Sequence, residues 1–185
     1  MSTPTKQDIA VAFLRLLARK PFRKITVRNI VEECGINRTT FYYHYQDVYA
    51  IIEGLCENLV TPFKKVLLGE RDEAALAEAA DTVIRHRMAL CALLDALGYD
   101  TVRGYIYKET YAALQHFIDV RAEGLTLTEA QRKAAFLFSR EALFGALYLF
   151  LRDELPKEGS FDTFTKMTEG LVREMLERVS KGNEQ

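Results

Sequence analysis

Thr26-Val27-Arg28-Asn29-Ile30-Val31-Glu32-Glu33-Cys34-Gly35-Ile36-Asn37-Arg38-Thr39-Thr40-Phe41-Tyr42-Tyr43-His44-Tyr45 holds two short helical patterns separated by a turn. Thr26 can cap the first, in which Val27, Ile30, Val31 and Cys34 recur at helical spacing. Gly35 supplies the left-handed conformation that a tight turn needs, and Asn37 can cap a second helix from Arg38 to about Tyr45. Two helices joined through a glycine turn are the geometry of the helix-turn-helix, whose second helix enters the major groove of DNA.

That second helix carries two kinds of residue. Phe41 and Tyr45, four apart, with Ile36 in the turn, supply a face to bury. Arg38, Thr39, Thr40, Tyr42, Tyr43 and His44 remain for the outward side. An arginine pairs bidentately with guanine, and a threonine offers a hydroxyl plus a methyl that suits thymine. Tyrosine hydroxyls donate to phosphate oxygens. Thr26 and Arg28 open the preceding helix, where a helix N-terminus meets the DNA backbone. Any one of these is unremarkable on a surface, but two exposed tyrosines are a poor choice for a merely solvated face.

Outward from this stretch, charge is divided unevenly. Residues 1–50 hold eight Lys and Arg against four acids, and no acid falls between Asp8 and Glu32. The remaining residues hold 17 basic against 22 acidic, giving the chain its net charge of −1. A basic head on an acidic body suits a phosphate-binding module attached to another domain. The division expected is residues 1–50 for DNA binding and 51–185 for dimerisation and effector binding.

The rest of the chain reads as helix. A first helix runs from about Lys6 to Arg19, capped by Thr5 with Asp8, with Ile9, Phe13, Leu16 and Leu17 on one stripe. Lys20-Pro21-Phe22-Arg23-Lys24 breaks it. Beyond Asp47, which can cap it, a longer helix begins, with Pro62 as its kink or end. Further helices fit about 72–96, 101–121, 129–152 and 162–180. Breaks fall at Gly69, Gly98-Tyr99-Asp100, Glu123-Gly124 and Pro156-Lys157-Glu158-Gly159, and Thr128 with Gln131 makes a capping box. The fold class is all-α: a three-helix N-terminal domain and a C-terminal helical bundle, assembled as a homodimer.

The sequence resembles the DNA-binding segment of the TetR family of bacterial regulators over about residues 8–55. The shared features are the threonine-started helix, the small residue-Gly-hydrophobic turn and the Thr40-Phe41-Tyr42-Tyr43-His44-Tyr45 run. The tyrosine-rich segment followed by Gln46-Asp47 is similar to the branch that includes the dihydroxyacetone-kinase operon regulators. The resemblance implies a homodimer, a C-terminal domain for dimerisation and effector binding, and repression. It implies that Tyr42 and Tyr43 touch phosphates, that Thr39, Thr40 and His44 lie at or near bases, and that Thr26 and Arg28 reach backbone. One departure is plain. The family's lysine opening the fourth helix is absent, since Gln46-Asp47-Val48 stands there, so a phosphate contact has to come from elsewhere, with Lys24 as a candidate.

In the body, the 129–152 helix is apolar nearly all round from Ala142 to Leu151, and Gly145 would permit close approach of another helix. With the 162–180 helix (Phe164, Met167, Leu171, Met175, Leu176) it is expected to form the subunit interface. A monomeric bundle with this helix at its centre is the alternative. The apolar run is short of the roughly 20 residues that span a bilayer, so no membrane partner is expected and the cytoplasm is the expected location. Cys34, Cys56 and Cys91 are far apart and odd in number, which fits buried thiols rather than a disulfide framework. No metal, cofactor or catalytic residue is expected, because no histidine or cysteine has ligand or triad spacing. Arg85-His86-Arg87 and the Tyr105, Tyr107, Tyr111, His116 set suggest a ligand only weakly against solvated charge and half-buried aromatics. An effector, where one acts, is expected to work through the helix starting at Asp47. An all-helical enzyme or small-molecule carrier with an incidental basic N-terminus is the competing reading. The lack of a Gly-rich phosphate loop or nucleophile elbow weighs against it.

Overall fold

The computed structural model describes residues 5–69, 73–152, 154 and 160–182, with the side chains of 73, 76 and 160–169 outside that description. The elements are α1 (Lys6–Leu17), a 3₁₀ turn (Phe22–Lys24), α2 (Val27–Cys34), α3 (Arg38–His44), α4 (Val48–Leu67), α5 (Glu73–Leu97), α6 (Tyr99–Arg121), α7 (Glu129–Leu151) and α8 (Ser160–Gly182). No strand occurs among the described residues.

The helix starts follow the capping chemistry of the sequence. Thr5 accepts from the Asp8 amide while the Asp8 carboxylate accepts from the Thr5 amide at 2.7 Å. The Thr5 amide and hydroxyl both donate to the Asp8 carboxylate, and these two bonds hold it below its ordinary pKa. Thr26 does the same for α2 with Asn29, and Thr128 for α7 with Gln131. Asn37 accepts from the Thr40 amide at 2.8 Å, and Asp47 from the Ala50 amide at 2.9 Å. Gly35 ends α2 at φ +70°, where a side chain would strain the backbone.

Several boundaries differ from those expected from the sequence, and α8 is two residues longer at each end than expected. α1 stops at Leu17, two residues early, in a turn closed by bonds from the Arg19 and Lys20 amides to the Leu16 carbonyl. α6 begins at Tyr99, because Gly98 at φ +83° makes the whole connection by itself. Asp100 therefore sits in the first turn of α6, paired with Arg103 at 2.8 Å. α4 does not end at Pro62 but runs through it to Leu67. Proline removes one amide donor, yet Leu59, Val60, Phe63 and Val66 are buried on both sides of it, and their burial carries the helix across. The expected break at 156–159 lies outside the described residues.

The chain forms two compact units. One comprises the residues up to Leu59 with His86–Tyr105, and the other Val60–Arg85 with the chain from Ile106 onward. In the first, α1 packs on α2 and α2 on α3, with Ile9, Phe13, Ile30 and Phe41 wholly buried. In the second, Leu114, Phe117 and Ile118 of α6 and Ala122 just after it form a core with Ala135 and Phe136 of α7 and Val172 and Leu176 of α8. Arg173 of α8 closes the end of α6 by donating to the carbonyls of Arg121 (2.7 Å) and Glu123 (3.3 Å). Those carbonyls lack helical partners, so a fixed guanidinium there satisfies them and complements the helix dipole.

α7 is, by length and composition, apolar enough to cross a membrane, a property hidden when Ala142–Leu151 is taken alone. Only 28% of its most apolar stretch is buried within the chain. The middle of the helix is not lipid-like, however. Tyr107 of α6 donates to Glu141, which accepts from Arg140 at 2.8 Å, and the Arg140 guanidinium lies 4.3 Å from the Tyr107 ring. A charged pair held by a neighbouring helix marks a face that packs on protein.

Candidate nucleic-acid interface

α3 sorts its residues as its chemistry requires. Phe41 is wholly buried and Tyr45 is buried behind it. The Tyr45 hydroxyl donates to the Lys6 carbonyl at 3.2 Å, and burial pushes its pKa up. The recognition helix is thereby tied to the first turn of α1. Ile36 is half-buried in the turn. Replacing Phe41 with alanine removes an aromatic anchor from a filled site, so a thermal or urea melt should show a loss of about 3–5 kcal/mol. A near-wild-type melt would mean that α3 is held in some other way.

On the opposite side, Arg38, Thr39, Tyr42 and Tyr43 are exposed, Tyr43 at 84%. Thr40 and His44 are half-buried. The Tyr42 ring meets Phe41 edge-on at 5.4 Å, and the Tyr43 ring meets His44 at 5.0 Å. α3 brings together Arg38, Thr39, Thr40, Tyr42, Tyr43 and His44 on one short helix.

Thr26 and Arg28 lie at the start of α2 and are both already engaged. The Thr26 hydroxyl donates to Asn29 Oδ1 at 3.1 Å and accepts from the Asn29 amide at 3.3 Å. Its proton is committed to the cap, which is its first task. Arg28 donates to Glu32 at 2.8 Å on an open surface. An exposed pair of this kind contributes little, and a phosphate can displace the carboxylate. The Thr40 hydroxyl likewise bonds Asn37.

The acids of the head are all occupied locally. Asp8 and Asp47 serve as caps, Glu32 pairs with Arg28, and Glu33 pairs with Arg19 at 2.5 Å. Lys20, Arg23, Lys24 and Arg38 have no ion-pair partner among the described residues. Sequence reasoning missed Asn29, since its Thr-x-x-Asn spacing stands where the usual box has Glu or Gln. It also missed the weight of Arg23, because a charge count does not show which cations are neutralised.

Among the described residues no group of three His, Cys, Asp or Glu side chains is arranged to hold a metal. Cys56 is buried, while Cys34 and Cys91 are half-buried. Partial burial, with Asp8 nearby, pushes the Cys34 thiol up, away from a reactive thiolate.

α2, the Gly35 turn and α3 form a helix-turn-helix whose second helix is exposed on one side and anchored by aromatics on the other. Residues 9–54 match the model of the bacterial regulatory proteins of the tetR family. Over 52 residues it is 36% identical to an HTH-type transcriptional regulator, YerO, of Bacillus subtilis (strain 168), itself uncharacterised. That match spans 28% of this chain and 18% of the relative, so it concerns the DNA-binding segment alone. Among solved structures, the dihydroxyacetone kinase operon activator DhaS has a TM-score of 0.62 at 13% identity, covering 93% of this chain and 98% of that one. A TetR transcriptional regulator from Streptococcus agalactiae 2603V has a TM-score of 0.56 at 22% identity, covering 89% and 93%. At such identities the likeness is one of fold.

Proposed function

We propose that the chain is a homodimeric repressor that binds a palindromic operator through residues 1–50 and assembles through residues 51–185. The observation that carries this reading is the outward display of Tyr42 and Tyr43 on a helix whose Phe41 and Tyr45 are buried. In it, Arg38, Thr39, Thr40 and His44 meet bases. Tyr42, Tyr43, Thr26 and Arg28 meet backbone. Two heads related by a twofold axis read half-sites about one helical turn, or a small multiple of it, apart. Repression is the simplest result of a dimer covering promoter DNA. The fold neighbour DhaS is described as an activator, so a reporter fused to the target promoter has to fix the sign.

Release by a small molecule belongs to the same reading. The body offers an open cavity of about 560 Å³ whose lining includes Leu67, Leu68, Val120, His116, Arg121 and Arg173. Much of that lining is apolar, and Arg173 is held in place by Glu177 at 2.6 Å. α4, twenty residues long, is the covalent link from the recognition helix to the Leu67–Leu68 edge of this cavity. Mobility-shift titration with duplex from the chain's own promoter tests the reading. A retarded species that dissolves as salt rises is expected. No shift at any salt would return the enzyme or carrier reading.

A further inference from the structure

Resting on the DNA-binding reading, we propose that Arg23 and Lys24 of the 3₁₀ turn form a second phosphate clamp, gripping the DNA backbone beside the bases that α3 reads. Both side chains are exposed and neither has a carboxylate partner among the described residues, while every acid of the head is engaged elsewhere. Two adjacent, unneutralised cations on one short turn repel each other, and a polyanion relieves that repulsion.

The turn is fixed in place. Phe22 packs edge-on against Phe13 of α1 at 6.4 Å and against Tyr49 of α4 at 5.4 Å. The amides of Lys24 and Ile25 close the turn onto the carbonyls of Pro21 and Phe22 at 2.9 and 2.8 Å. Tyr49 stands in the first turn of α4, and Thr26 caps α2 directly after Ile25. Arg23 and Lys24 are thereby held between the start of α2 and the start of α4. The α4 start itself offers Gln46-Asp47-Val48 and no cation. Lys20 is a weaker partner for phosphate, since it shares a surface hollow with Glu32 and Glu33.

The clamp meets only the backbone, so it adds affinity and register without base preference. It must therefore show on mixed-sequence DNA. The test is fluorescence anisotropy of the full chain with a mixed-sequence duplex of about 30 base pairs, enough for two half-sites, over a series of salt concentrations. The slope of log affinity against log salt should become shallower in the Arg23→Gln/Lys24→Gln variant. The expected change is about 0.9 for each phosphate no longer neutralised, hence about 1.8 per bound protomer. The swapped variant Arg23→Lys/Lys24→Arg should keep the wild-type slope, which separates charge from any effect on the turn. A double Gln variant with the wild-type slope overturns the clamp. If the wild-type chain itself shows no salt-dependent binding, the DNA-binding reading falls and takes the clamp with it.

Discussion

Alanine at Tyr43 or at Arg38 should weaken operator binding while leaving the helical content and the oligomeric state unchanged. Neither side chain contributes to the core: Tyr43 is 84% exposed and Arg38 opens α3 on its outer side. The folded head therefore loses no buried surface in either variant. Arg38, paired bidentately with a guanine, would account for about 1–3 kcal/mol of discrimination per half-site. Tyr43, donating to a charged phosphate oxygen, would account for about 1.5–3 kcal/mol. The two effects differ in kind. Without Arg38 the protein should distinguish its operator less well from other sequences, whereas without Tyr43 binding should fall about equally on all of them. Wild-type affinity in both variants at physiological salt would remove α3 from the reading role.

Gly145→Trp should abolish dimerisation and DNA binding together. A Cβ added at Gly145 would meet no other atom within 4 Å, so the position opens away from its own protomer. Around it the α7 surface is apolar and poorly covered, with Leu137, Phe138 and Leu149 exposed, and Leu171 exposed on α8. A second copy is the natural cover for such a face. A bulky ring in its centre would hold two helices apart by more than the roughly 8–10 Å at which helices pack. Sedimentation of the variant should give a folded monomer, and its mobility shift should vanish because one head holds only half the contacts. Wild-type protein that sediments as a monomer at micromolar concentration would overturn the arrangement.

Much of the head is legible in the sequence because its signals are local. Thr5, Thr26 and Asn37 act within three residues of themselves, as Thr128 does in the body, and Gly35 acts on its own backbone. The inward face of α3 follows from the spacing of Phe41 and Tyr45 alone. What is not legible depends on partners distant in the chain. Pro62 reads as a kink or an end because only its missing donor is visible in sequence, while the burial of Phe63 and Val66 that carries the helix onward is not. The engagement of Arg28 and Arg19 by Glu32 and Glu33 cannot be told from composition, and the standing of Arg23 and Lys24 is hidden with it. The cavity in the body draws its lining from the ends of α4 and α6 and from α8, more than a hundred residues apart at the extremes. No window of sequence contains it.

α3 is seven residues long, about two turns, and a free helix of that length does not hold together in water, since the cost of its first turn is never recovered. Its order is lent by Phe41, Tyr45 and the Asn37 cap. The loss of chain entropy that a disordered reading segment would suffer at every encounter with DNA falls instead within the folding of the head. On the DNA-binding reading proposed above, the surface that inspects a sequence is thus a finished template before any duplex arrives. Each trial contact along a genome then exchanges only counterions and water, and a wrong site can be left without anything having to unfold.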